Sequence, residues 1–260
     1  MRNRKHIEKY LEWLVGLPVE LREVGSRERG EIELVTDPRV MEEIETQEIN
    51  GRLMRGLSVE QARVGIIYES PVFWLVQDPV RLPDGSYRLW QRLVWRNGVH
   101  GKSVVIVPYT EDKRLLFVPA YRHVSRRWEL ELPGGGSTTA ETYGEAVNGE
   151  MFEEAGYEAL EIKPLEAQAA DGSAIGYFFA DPSTNGTPIR SYAVRLGKRG
   201  DQAPEDGEIF GRPVLLTRAE IENAFRVGSY PHPDRPGVAC HIQSGRNGYG
   251  ILLAILHGLI

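Results

Sequence analysis

The chain has 260 residues, 41% hydrophobic and 26% charged, with a formal net charge of −6. That composition is ordinary for a globular protein of one large domain, or one domain plus an extension. The acidic balance excludes the electrostatic footprint of a nucleic-acid or anionic-membrane binder, so phosphate would have to be met by local cations or a bound metal. A single cysteine, Cys240, excludes an intramolecular disulfide and a cysteine-based zinc site.

In chain order, the basic start Met1–Lys5 leads into Ile7–Leu14, which Glu8, Lys9 and Glu12 interrupt. This does not read as a signal peptide, and the expected location is cytoplasmic. Ile7, Tyr10, Leu11 and Leu14 recur at helical spacing, predicting a short amphipathic helix that ends near Gly16 and Pro18. Asp37-Pro38 is a helix start, with Asp as N-cap and Pro in the first turn; Met41 and Ile44 follow as its apolar side. No chemistry is legible in residues 1–62. They are expected to form a helical extension that packs on the main domain or on a second subunit.

From about Val64 the pattern changes to short β-rich runs. Ile66–Tyr68, Val72–Val76, Tyr87–Val94, Ser103–Pro108, Leu115–Pro119, Gly176–Ala180, Ser191–Leu196 and Val214–Leu216 are predicted strands. Pro83-Asp84-Gly85 is a turn, since Pro presets one dihedral and Gly accepts a positive φ. A helix is expected over 140–154, and one or two more between Thr217 and the C-terminus. Strands around a central helix predict a mixed α/β domain over 63–260. The closing run Gly250–Ile260 is far too short to span a bilayer.

The informative stretch runs from Leu132-Pro133-Gly134-Gly135-Gly136 to Gly156-Tyr157. Gly135 is followed at fixed spacing by Glu141, Glu150, Glu153, Glu154 and Gly156. Glu150 and Glu154 are four apart and share one helical face, with Glu153 one residue round. Like charges so placed repel, so the cluster makes sense if a hard divalent cation sits there, completed by a backbone carbonyl such as that of Gly134.

This pattern resembles the Nudix box: Gly, five residues, Glu, seven residues, Arg-Glu, two residues, Glu-Glu, one residue, Gly. Met151 and Tyr157 occupy its apolar positions. The box arginine is replaced by Gly149, which supplies no charge and inside a helix costs ~1 kcal/mol relative to alanine. Either another cation enters, with Arg126 and Arg127 of the preceding loop as candidates, or the site binds without efficient turnover.

From about Ser70 onward the chain is similar to the ADP-ribose pyrophosphatase branch of that family. The likeness rests on Val80–Gly85, Val104–Pro108, Leu115–Val118, Ala120-Tyr121-Arg122, Trp128–Pro133, the looser Ala170–Ser173 with Tyr177–Ala180, Thr217–Ile221 and the closing Gly250–Ile260. It implies an α/β/α sandwich around a mixed sheet. The implied reaction is magnesium-dependent hydrolysis, with manganese as a substitute, of the diphosphate in ADP-ribose or a related nucleoside diphosphate sugar or dinucleotide. Glu150, Glu153 and Glu154 with Gly134 would hold the metal. Arg122, as a planar fork, Glu131 and Gly135 would meet substrate. Glu153 and Glu154 join Glu208 as the catalytic set; Glu208 of the loop Glu205-Asp206-Gly207-Glu208 is the expected general base, ahead of Glu205. His123 beside Arg122, and Phe73 and Trp74 as adenine-stacking rings, are further candidates. By analogy with the branch, a homodimer with exchanged N-terminal strands is expected, with no nucleic-acid or membrane partner. The competing reading, favoured by Gly149, is a catalytically impaired domain that senses a nucleotide.

Overall fold

Asp37 and Pro38 act as their chemistry dictates: the Asp37 carboxylate accepts the Arg39 N–H at 2.7 Å, and helix α2 (Pro38–Met54) follows. Helix α1 (Lys5–Gly16) buries Ile7, Tyr10 and Leu14, the predicted stripe. The computed structural model describes residues 4–18, 21–96, 99, 102–169, 171–205 and 207–260. Ala170 and Asp206 therefore lie outside the described residues.

The chain divides into two compact units, one of Met1–His100 with Asp181–Thr187, the other of Gly101–Ala180 with Pro188–Ile260. In the first, β3 (Phe73–Arg81) and β4 (Tyr87–Trp95) form an antiparallel hairpin around the predicted Pro83–Gly85 turn. The other edge of β3 pairs with β2 (Gly65–Glu69) and the short β1 (Glu33–Leu34). Beneath them, the buried Tyr10 hydroxyl donates to Asp78 at 2.7 Å, and Asp78 pairs with Arg92. The division by contacts falls after residue 100, whereas the change in composition falls at 62/63, because β2, β3 and β4 belong to the same unit as the two helices.

The second unit is a mixed sheet with helices on both faces. Along the described residues its main path runs β14 (Ser229–Pro231), β15 (Ala239–His241), β7 (Arg127–Glu131), β6 (Arg114–Arg122), β5 (Lys102–Tyr109), β12 (Arg190–Arg199), β9 (Tyr157–Leu165). β13 (Val214–Thr217) adds to β6, the short β8 (Gly136–Ser137) adds to β5, β12 runs parallel to β5, and β10 (Ala167–Gln168) pairs with β11 (Ala174–Ile175). The period-two alternation of a strand explains the layers. Val104 and Ile106 of β5, with Leu116 and Val118 of β6, face helix α3 (Tyr143–Glu150) through Ala146, Val147 and Met151. Val105, Val107, Leu115 and Phe117 face the opposite layer, where α4 (Arg218–Val227) and α5 (Gly245–Leu256) bring Ile221, Ala224, Leu253 and Ala254. With both faces covered, β5 and β6 read as near-continuous apolar runs, which is why they were predictable. The result is an α/β/α sandwich.

Three local expectations are corrected. Gly176–Ala180 is not a strand; it makes a single bridge, Phe178 to Ile189. The strand β9 was not anticipated, because Glu158, Glu161 and Lys163 dilute its apolar pattern at a sheet edge. The helix expected over 140–154 begins at Tyr143 and changes at Met151 into a π-helical turn, Met151–Ala155. Among the described residues no helix is long and apolar enough to cross a membrane.

Candidate functional site

Helix α3 starts at a reciprocal cap: the Thr142 hydroxyl accepts the Glu145 N–H, and the Glu145 carboxylate accepts the Thr142 N–H at 3.0 Å. Its far end widens into the π turn before Gly156, which caps it in the left-handed conformation. Such a turn opens the spacing from i+4 to i+5, so Glu150 and Glu154 still project to one side.

The glycine loop closes on these carboxylates. It leaves β7 and runs beside β5, where Ile106 N–H donates to Pro133 O at 2.8 Å and Val104 N–H to Gly135 O at 2.9 Å. At φ +153° Gly134 holds a conformation that side chains rarely adopt, and a Cβ there would collide with the Val104 carbonyl. Its freed N–H donates to Glu154 Oε2 at 2.9 Å. A Cβ on Gly135 would occupy the place of the Glu150 carboxylate. Two successive glycines thus admit two carboxylates to the backbone.

The electrostatics are those of acids short of countercharge. Burial, then the charges of Glu153, Glu208 and Glu205, push the Glu150 carboxyl up to about 7, with Arg246 opposing. Burial, then Glu150, push Glu154 up to about 8, against the Gly134 N–H, Arg246 and Arg122. Glu153 is also raised, by burial and then by Glu205 and Glu208. Among the described residues no three ligating side chains yet converge on one point. The carboxylates are grouped but not closed. Their donor chemistry, all hard oxygen, and the cradle at Gly135 that only glycine leaves open fit a divalent cation such as magnesium.

Glu208, whose carboxylate accepts the Glu205 N–H at 3.2 Å, acts on this group through its charge, and the chain on either side of it is pinned. Ala203 N–H donates to Glu153 O at 3.0 Å, and Gln202 Nε2 bridges Glu154 O at 2.5 Å and Gly211 O at 3.1 Å. On the other side Tyr121 N–H donates to Ile209 O at 2.9 Å. Arg122, whose charge burial opposes, is held cationic by Glu131, then by Glu154 and Glu208. Its Nη2 donates to Glu131 Oε2 at 2.6 Å. A cleft of about 290 Å³ opens beside them, lined also by His123 and Arg127.

One expectation is redirected. Arg127, proposed as a substitute for the box arginine, donates instead to Glu129 at 2.7 Å and to Gln243 at 3.1 Å. Arg126 sits at a left-handed φ of 57°. Phe73 and Trp74 belong to the first unit, where Trp74 is buried edge-on against Trp13. Sequence reasoning missed Gln202, Arg246 and Asn247, because each reaches the site from a segment with no local motif.

The NUDIX domain family matches residues 99–231, just over half of the chain. No curated protein matches it. Among solved structures, that of an ADP compounds hydrolase is similar at a TM-score of 0.53 and 19% identity, covering 75% of this chain and 93% of its own. At that identity the likeness speaks for the fold.

Proposed function

The chain belongs to the NUDIX domain family, and from that membership we propose a magnesium-dependent hydrolase that cleaves the diphosphate of ADP-ribose or a related nucleoside diphosphate sugar. The observation that carries this reading is the paired admission of Glu154 by the Gly134 N–H and of Glu150 by the bare Gly135. Buried acids without full countercharge are costly to a fold and useful to a cation.

Glu150, Glu153 and Glu154, with the Gly134 carbonyl, would hold magnesium or manganese. When bound, the ion neutralises the diphosphate and lowers the pKa of the attacking water. The Arg122 fork binds a phosphate oxygen pair, while Glu131 orients that fork. Glu208 accepts the proton as the water oxygen bonds to phosphorus and the phosphoanhydride P–O bond breaks. The products are a nucleoside monophosphate and a sugar phosphate. Residues 1–62 are assigned as an extension to a hydrolase domain over 63–260, in a cytoplasmic homodimer.

Incubation with ADP-ribose and magnesium, with product separation, tests the reaction. Wild type should form AMP and ribose phosphate, and Glu154→Gln should not. The second reading, a nucleotide sensor, is favoured by the missing cation at Gly149. It takes over if wild type binds ADP-ribose or another nucleotide sugar and releases no monophosphate.

A further inference from the structure

Position 149 lies empty of side chain at the edge of the carboxylate group. A Cβ built there meets only Glu153 Oε1, at 3.9 Å. A guanidinium does stand against the glycine loop, and it comes from the first turn of α5. Arg246 Nη1 donates to Gly134 O at 3.2 Å, and its Nη2 to Glu131 Oε2 at 3.1 Å. Gly134 is the residue whose N–H holds Glu154, so one residue, through its two flanking peptide groups, connects guanidinium to carboxylate.

Its neighbour fixes where that guanidinium stands. Asn247 is 1% exposed; its Oδ1 accepts Leu132 N–H at 2.8 Å and its Nδ2 donates to Leu130 O at 2.6 Å. One turn on, Gly250 lets α5 approach closely, since a Cβ there would meet Leu132 Cδ1 at 2.6 Å. The helix is thereby locked in register with the segment that becomes the glycine loop.

We propose that Arg246 is the positioning residue that replaces the arginine absent at 149, holding the Gly134 peptide and Glu131 in register with the carboxylates of α3. The inference rests on the metal-binding reading above.

The test is calorimetric titration of Mn2+ into the metal-free full-length protein as wild type, Arg246→Met, Gly149→Arg and the double variant, alongside kcat and KM. Loss of a group that orients metal ligands costs about 10–100-fold in metal affinity. Arg246→Met should weaken Mn2+ binding in that range, and Gly149→Arg should recover most of the loss in the double variant while changing wild type little. A merely structural arginine would not be rescued from position 149. The inference is overturned if Arg246→Met binds Mn2+ like wild type, or if the double variant binds no better than Arg246→Met. If Arg246→Met does not fold, Arg246→Lys carries the same comparison, since it retains charge but loses the two-pronged contact. Absence of Mn2+ binding in wild type itself would instead overturn the metal-centred reading, and this inference with it.

Discussion

Glu150 and Glu154 are the residues on which the chemistry turns, and their cost to the metal-free protein is measurable. Both carboxyls are raised above their ordinary value of 4.5, to about 7 and about 8, burial being the leading cause in each. An acid whose pKa is higher in the folded state binds more protons folded than unfolded. Its stabilising contribution is therefore complete below the unfolded value and is lost as pH rises through the folded one. Metal-free protein should lose stability as pH rises from about 4.5 to about 8, the interval between the unfolded and folded values. Glu150→Gln removes one buried charge and with it part of the repulsion on Glu154. Each pH unit between folded and unfolded values is worth ~1.4 kcal/mol, discounted here because the amide also needs partners. We expect a gain of ~1–2 kcal/mol at pH 8, or ~2–4 °C in Tm per kcal/mol. Calorimetric melting in chelator measures it; a variant that melts below wild type at pH 8 contradicts the electrostatic account. With saturating magnesium the order should reverse, because the ion then supplies the missing countercharge to wild type.

At the scale of the element, α3 and its π turn carry the cluster, and Gly149 is the weak point of that helix. Glycine loses more backbone freedom than alanine on entering a helix, at a cost of ~1 kcal/mol. The space at 149 is open but for the Glu153 carboxylate at 3.9 Å. Gly149→Ala should thus raise Tm by ~2–4 °C, read by thermal melting. It should leave Mn2+ affinity unchanged, because alanine adds no cation. An affinity gain in Gly149→Ala would mean that helix stiffness, rather than charge, is what position 149 lacks. The helix and its acidic face were legible from the spacing of Glu150 and Glu154, and the strands β5 and β6 from continuous apolar runs. The π turn was not, since its hydrogen-bond shift leaves no mark on residue types. Nor was the edge strand β9, whose alternating charges read equally well as loop. Arg246 and Asn247 act across more than a hundred residues of sequence, a distance over which periodicity says nothing.

At the scale of the whole molecule, one chain threads two units, and the short return Asp181–Thr187 is where it rejoins the first. That return is held to β4 by backbone pairing: Leu93 N–H donates to Thr184 O at 2.7 Å and Gly186 N–H to Leu93 O at 2.9 Å. Thr187, 3% exposed, completes it by accepting Trp95 N–H on its hydroxyl at 2.9 Å. The composition gave no sign of this segment, since Asp181-Pro182-Ser183-Thr184-Asn185-Gly186 reads as an ordinary polar loop. The proposed metal ligands, by contrast, all lie in the second unit. Thr187→Val keeps the shape of the side chain but leaves the half-exposed Trp95 N–H without its acceptor, at a cost of about 0.5–1.5 kcal/mol. Two units need not unfold as one, so the loss should be sought in the melting of the first by hydrogen exchange at β3 and β4. Mn2+ affinity should stay at the wild-type value. If the substitution weakens Mn2+ binding as much as Arg246→Met does, the carboxylate group depends on the first unit's integrity, and the second unit is not sufficient to build the site.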